Sequence, residues 1–212
     1  MDDDRMTQSD ANIVNLHRFA TGRGLTPLNQ TEAYWSALRV DGAIPNRSQI
    51  DPRGLENVLE YAFVLERIAP GIARFRLAGQ HLRTLAGTEI RGMPLTALFA
   101  GPSRREISAI LEHVFDTPAV ADIMLRNKGK FARPSPSARM MLLPLRSDQG
   151  DISRALGVLV ADDVKAHAGL HLSVTDKILR PVSGYQHDAQ PVAADVEQVK
   201  PNARAKSHLR LV

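Results

Sequence analysis

The feature that most constrains this chain is one amphipathic helix set between two groups of strand-like runs. Ser103-Arg104-Arg105-Glu106 reads as a capping box. Ile107, Ile110, Leu111, Val114 and Phe115 then recur at i, i+3, i+4, i+7 and i+8, one continuous apolar stripe that Pro118 ends. Such a stripe must lie on an apolar surface, and the flanking sequence can supply it. Upstream, YAFVLERI from Tyr61 and IARFRLA from Ile72 are joined by Pro70-Gly71, a turn signal. In the second run Ala73, Phe75 and Leu77 alternate with Arg74 and Arg76, so the three apolar residues are expected on one face. Downstream follow AVADIMLR from Ala119, ARMMLLPLR from Ala138 and SRALGVLVA from Ser153, the last two joined by a turn over residues 148–151. Pro144 lacks a ladder donor and is expected at a bulge or an unpaired edge. The order predicts an α+β fold: a five-stranded antiparallel sheet with helices packed on one face.

The remaining chain decorates that unit. Residues 1–28 read as a flexible N-terminal segment. Thr31 can cap a helix carrying Tyr34, Trp35 and Leu38, ended by Gly42 and Pro45. Asp51-Pro52 reads as an N-cap followed by proline at the first helical position, with Leu55, Val58 and Leu59 as the buried stripe. Leu82 and Leu85 mark a short helix with Gly87 as its C-cap. The domain with its N-terminal helices spans 29–162, and residues 163–212 read as a weakly ordered basic tail ending in KSHLRLV.

Composition removes several chemistries. The 212 residues contain no cysteine, which excludes disulfides, thiolate metal sites and cysteine nucleophiles. Aromatics are only 5% against 43% apolar residues, so aliphatic side chains must fill the core. No stretch approaches the roughly 20 apolar residues of a spanning helix, and the chain opens on Asp2, Asp3 and Asp4 where a secretory leader needs basic residues. A cytoplasmic location is the expectation. Net charge is +4, from 27 basic and 23 acidic residues, which permits an anionic partner without demanding one.

Specific runs add a resemblance. YWSALR (34–39), PNRSQIDP (45–52), FVLE (63–66), FRLAG (75–79) and GTEIRG (87–92) together resemble a bacterial stand-alone PAS-like family, the fifth of the catalogued PAS subfamilies. The likeness covers residues 31 to about 161. It implies a PAS-type fold and a signalling or regulatory role, with no catalytic residues. Beyond Asp162 the chain lacks the aromatic-rich segment the resemblance leads one to expect, so the likeness stops there.

Candidate sites follow from fold and resemblance together. A small apolar ligand in the core would meet Phe75, Leu77, Met124 and Leu143 on the sheet, opposed by Ile107, Ile110 and Leu111; a filled core is the alternative. Haem needs an axial histidine. His113 lies roughly 130° from the centre of its helix's stripe, by 100° per residue, and points to solvent. His81 stands beside the pocket and joins the candidate set, with a surface or hydrogen-bonded role as the simpler reading. Cysteine-dependent flavin photochemistry is excluded, and no cofactor is expected. Trp35 is a hydrophobic anchor that could also pair subunits. Arg47 and Ser48 either pin their loop, to backbone carbonyls or Glu66, or face a partner. Residues 126–146 contain Arg126, Lys128, Lys130, Arg133, Arg139 and Arg146 with no acid, and Phe131 among them, a mixture suited to an acidic partner or single-stranded nucleic acid. A solvated hairpin loop is the plainer alternative. Enzyme motifs are absent from the sequence. The expected function is a non-catalytic sensor or adaptor acting through protein partners, with Trp35, Arg47, Lys128, Lys130 and Arg133 as contact candidates. The alternative is a nucleic-acid-binding regulator using the basic loop.

Overall fold

The computed structural model describes residues 25–127, 137–161 and 171–183. Helix α1 (Leu25–Ala37) leads, through 3₁₀ turns at Arg47–Gln49 and Pro52–Val58, to the hairpin β1 (Ala62–Ala69) and β2 (Ile72–Ala78). Then come α2 (Gln80–Ala86), a 3₁₀ turn at Leu95–Leu98, α3 (Gly101–Asp116), and strands β3 (Ala119–Asn127), β4 (Ser137–Leu145), β5 (Arg154–Ala161) and β6 (Leu172–Pro181). The strands form one sheet in the order β2-β1-β5-β4-β3-β6, with every neighbouring pair antiparallel. The two expected hairpins and the helical crossover between them are present. No described helix is long and apolar enough to cross a membrane.

The sheet has six strands rather than five. Residues 172–181, read from sequence as part of a weakly ordered tail, pair with the whole of β3 from Asn127–Leu172 to Ala119–Pro181. A register shift between Met124 and Leu125 interrupts this ladder opposite Thr175. It switches the core-facing residues of β6 from Leu172 and Val174 to Leu179, so no simple alternation survives in the sequence.

The expected capping box at Ser103 does not form. Helix α3 begins three residues earlier, with Ala100 at its N-cap and Pro102 in its first turn. Ser103 and Glu106 serve β6 instead. The Ser103 hydroxyl accepts the Val174 backbone N–H at 3.1 Å, and Lys177 Nζ meets Glu106 at 2.7 Å.

Helices cover both faces of the sheet. On the inner face Phe63, Phe75, Ile123, Met140 and Leu142 pack against the α3 stripe and Leu82, Leu95 and Phe99. On the outer face Met141, Leu143, Leu145, Leu156 and Val158 pack beneath Leu28 and Trp35 of α1 and Ile50, Leu55 and Val58 of the following segment. Thr31 does not cap α1. It lies buried within the helix and donates back to the Pro27 carbonyl at 2.7 Å.

Candidate functional site

Two of the runs that carry the sequence resemblance, YWSALR and PNRSQIDP, meet on the outer face. Trp35, 2% exposed, donates its indole N–H to the Pro144 carbonyl at 2.9 Å. Pro144 lies past the last β3–β4 pair, Ala121–Leu142, so its missing N–H costs no ladder bond there and its carbonyl is open to the indole. The Tyr34 hydroxyl accepts the Asp51 N–H at 2.8 Å, and Asp51 caps the next turn by accepting from the Arg53 N–H at 2.9 Å. The Arg47 N–H reaches the Arg146 carbonyl at 2.8 Å, and the Arg146 N–H the Pro45 carbonyl at 2.9 Å. Together these bonds clamp residues 34–58 onto the sheet as a cap. Trp35 is consumed by that clamp and offers no surface to a second subunit.

Between the cap and the β1–β2 hairpin lies a half-open cleft of about 500 Å³. Its walls are aliphatic, from Ile50, Leu55, Leu59, Val64, Leu77 and Leu156, and Arg47, Glu60, Gln80 and Arg83 stand around them. Gly79 closes one end. A Cβ there would sit 2.2 Å from the Glu60 carbonyl oxygen and 2.4 Å from that of Leu59, so only glycine allows the chain to pass.

Leu77 belongs to this outer cleft and not to the inner core where alternation placed it. The register pairs Val64 with Leu77 but Leu65 with Phe75, so Arg76 is an extra residue in a bulge. The bulge flips the phase: Ala73 and Phe75 point inward, Leu77 turns out and is 52% exposed, and Ala78 packs inward again. Met124 is also on the outer face, half-buried beside Asp122 and Ile178. Leu143 lies beneath the cap. Of the eight ligand candidates, the structure therefore brings together Phe75, Ile107, Ile110 and Leu111 on the inner face.

Among the described residues, aromatic packing occupies part of that inner space. The Phe63 and Phe75 rings meet edge to face with centroids 5.4 Å apart. The Phe63 ring lies over Gly157, where a Cβ would come within 2.2 Å of it. An aromatic side chain thus occupies the volume that the bare glycine leaves.

His81 is a structural acceptor. Its Nε2 takes the backbone N–H of Ala161, the last residue of β5, at 3.2 Å, which assigns the proton to Nδ1. Its ring stands 4.7 Å from that of Tyr61. Burial lowers the His81 pKa below its ordinary value, against the opposing pull of Glu60. Burial raises that of Tyr61, and the hydrogen bond and charge of Glu60 add to the rise. His113 is exposed, as its helical phase requires, with Nδ1 3.2 Å from the Thr117 hydroxyl.

Glu66 does not pin the Arg47 loop. It is ringed by Arg74 at 2.8 Å, Arg154 at 2.8 Å and Arg76 at 3.4 Å. Burial alone would push its carboxyl up, but the Arg74 hydrogen bond and the charges of Arg154, Arg76 and Arg74 hold it below the usual range. Among the described residues of the basic run over 126–146, Arg139 and Arg146 are engaged within the fold. Arg139 pairs with Asp122 across β3 and β4, and Arg146 is tied by its backbone to the cap. Lys128, Lys130, Phe131 and Arg133 lie outside the described residues. Sequence reasoning missed the outer cleft because it needed the bulge at Arg76, for which neither a glycine nor a proline gave a signal.

The PAS domain family profile matches residues 25–160. No curated protein matches the chain significantly. Among solved structures, the dark form of the blue-light photoreceptor Aureochrome1 LOV domain is 17% identical, covers 57% of this chain and 87% of its own, and superposes with a TM-score of 0.40. A light-oxygen-voltage domain studied with a flavin analogue is 14% identical over 52% of this chain and 83% of its own, at 0.38. An RNA-binding light-oxygen-voltage receptor is 20% identical over 58% of this chain and 37% of its own, at 0.37.

Proposed function

This chain belongs to the PAS domain family, and from that premise we propose that it is a non-catalytic regulatory protein that signals through contact with a protein partner. Membership in the family over residues 25–160 is the observation that carries this reading, since PAS domains commonly mediate protein–protein interaction in signalling.

The β1–β2 turn is the surface best suited to the contact. Ile68 and Ile72 are 52% and 40% exposed. The turn beneath them is held rigidly: Arg67 makes a bidentate pair with Asp116 at the end of α3, at 2.6 and 2.9 Å. Rigid apolar residues beside charged ones make effective interface anchors, because little side-chain freedom is lost on binding. The test is cross-linking with mass spectrometry in the native host, comparing the wild type with an Ile68→Arg/Ile72→Arg double variant. A partner captured by the wild type is expected to bind the variant at least about tenfold more weakly. Identical capture by both proteins, or capture of no protein by either, would refute the reading.

A further inference from the structure

We propose that the outer-face cleft binds an unbranched aliphatic carboxylate, a ligand of the fatty-acid class, with its chain on the leucine floor and its head at Arg47 and Arg83. The site differs from the partner surface proposed above and does not depend on it. Three observations lead there.

The first is the wall chemistry. Leu59 and Leu77 line the cleft and are 46% and 52% exposed, while Ile50, Leu55, Val64 and Leu156 beside them are buried. Water therefore meets Leu59 and Leu77 in a concave place backed by aliphatic side chains, the setting in which an apolar chain gains most from burial.

The second is the charge. Neither the Arg47 nor the Arg83 guanidinium makes a hydrogen bond or ion pair with a described residue, whereas the arginines around Glu66 are all engaged. The one acid lining the cleft is Glu60, which already interacts with Tyr61. Two cations against one anion leave a positive excess beside an apolar floor. A guanidinium presents a planar fork of donors that matches a carboxylate.

The third is size. A volume of about 500 Å³ holds roughly sixteen groups the size of a water molecule, at ~30 Å³ each. That suits a chain of about ten to fourteen carbons with its head group.

Titration calorimetry of the full chain tests this with decanoate, 1-decanol, decyltrimethylammonium and acetate as probes. Decanoate is expected to bind one to one and at least tenfold more tightly than decanol or the cation, with acetate silent at the same concentrations. An Arg47→Gln/Arg83→Gln double variant should reduce the preference over decanol to below threefold. Leu77→Asp should abolish decanoate binding. Leu77 and Arg83 are exposed, and Arg47 is tied to the cap through its backbone, not its guanidinium, so both variants should keep the wild-type circular dichroism spectrum. Equal affinity for decanoate and decanol, binding unchanged in both variants, or no binding at millimolar decanoate would overturn the proposal. So would a dimer, seen by sedimentation, that Leu77→Asp dissolves while decanoate fails to bind. In that case the cleft belongs to a second copy of the chain.

Discussion

The two faces of the sheet are built on different terms. The inner face is held by packing: the α3 stripe, Phe99 and the Phe63–Phe75 pair meet across it, and Gly157 is small where Phe63 needs room. The outer face is held by a few directed bonds. The Trp35 indole, the Tyr34 hydroxyl and the backbone exchange between residues 45–47 and Arg146 tie the cap down, and beside it the cleft stays open. Packing resists a stranger atom everywhere at once, whereas a clamp leaves unoccupied space between its fixed points. The difference places adaptability on the outer face of this protein.

Substitutions can break that contrast. The largest effect is expected from Trp35→Ala, which deletes the central contact of the cap and leaves the Pro144 carbonyl without its indole donor. A loss of ~3–5 kcal/mol is expected, read by denaturant unfolding, with faster proteolysis around residues 38–50 while inner-face amides keep their exchange protection. Uniform loss of protection on both faces would show that the cap is not a separate layer. Next comes Gly157→Ala on the inner face. The added methyl would meet the Phe63 ring at 2.2 Å, and moving that ring disturbs Phe75 in turn. A cost of ~1–3 kcal/mol is expected. Gly157→Ala/Phe63→Leu should recover part of it, since the smaller side chain leaves space for the methyl. A double variant no more stable than Gly157→Ala would mean that Phe63 is not the obstacle.

Much of this architecture was legible in the sequence. The α3 stripe, the two hairpins and the Asp51-Pro52 start declare themselves because each rests on local chemistry: a 3.6-residue period, a turn dipeptide, a capping side chain. Pro144 was also readable, because a missing N–H restricts where a strand residue can sit. The failures share one cause. In β2 and in β6 an extra residue, Arg76 in one and Thr175 in the other, shifts the register and reverses which side chains face the core. Periodicity read across such a point assigns the later residues to the wrong face, as it did for Leu77, or finds no strand at all, as in 172–181. The site suffered more than the fold because Leu77, one residue past a bulge, lines the cleft. Ser103 and Glu106 show a related ambiguity. A capping box and a pair of long-range partners for a neighbouring strand can use the same side chains.

The smallest of these effects concerns the junction of the two faces, where His81 of α2 holds the end of β5. Its Nε2 accepts the Ala161 N–H, and an imidazolium has no lone pair to accept with. Burial already lowers the folded-state pKa below the ordinary value of 6.5. The unfolded chain therefore takes up the proton first as pH falls. The contribution of this group is complete above about pH 6.5 and declines as pH drops through that value toward the folded pKa. Glu66 and Asp151 are also held below their ordinary values, but these carboxylates act at lower pH, below about 4.5, so they stay out of the interval from pH 7 to 5, and comparison with His81→Gln separates His81 from the chain's other histidines. The hydrogen bond at stake is worth about 1 kcal/mol. Urea unfolding of the wild type should show a loss of that order between pH 7 and pH 5, and His81→Gln should flatten the profile, because its side chain does not titrate. A wild-type profile already flat over this interval would show that Ala161 is held by something other than the imidazole, and that the two faces are not joined through His81.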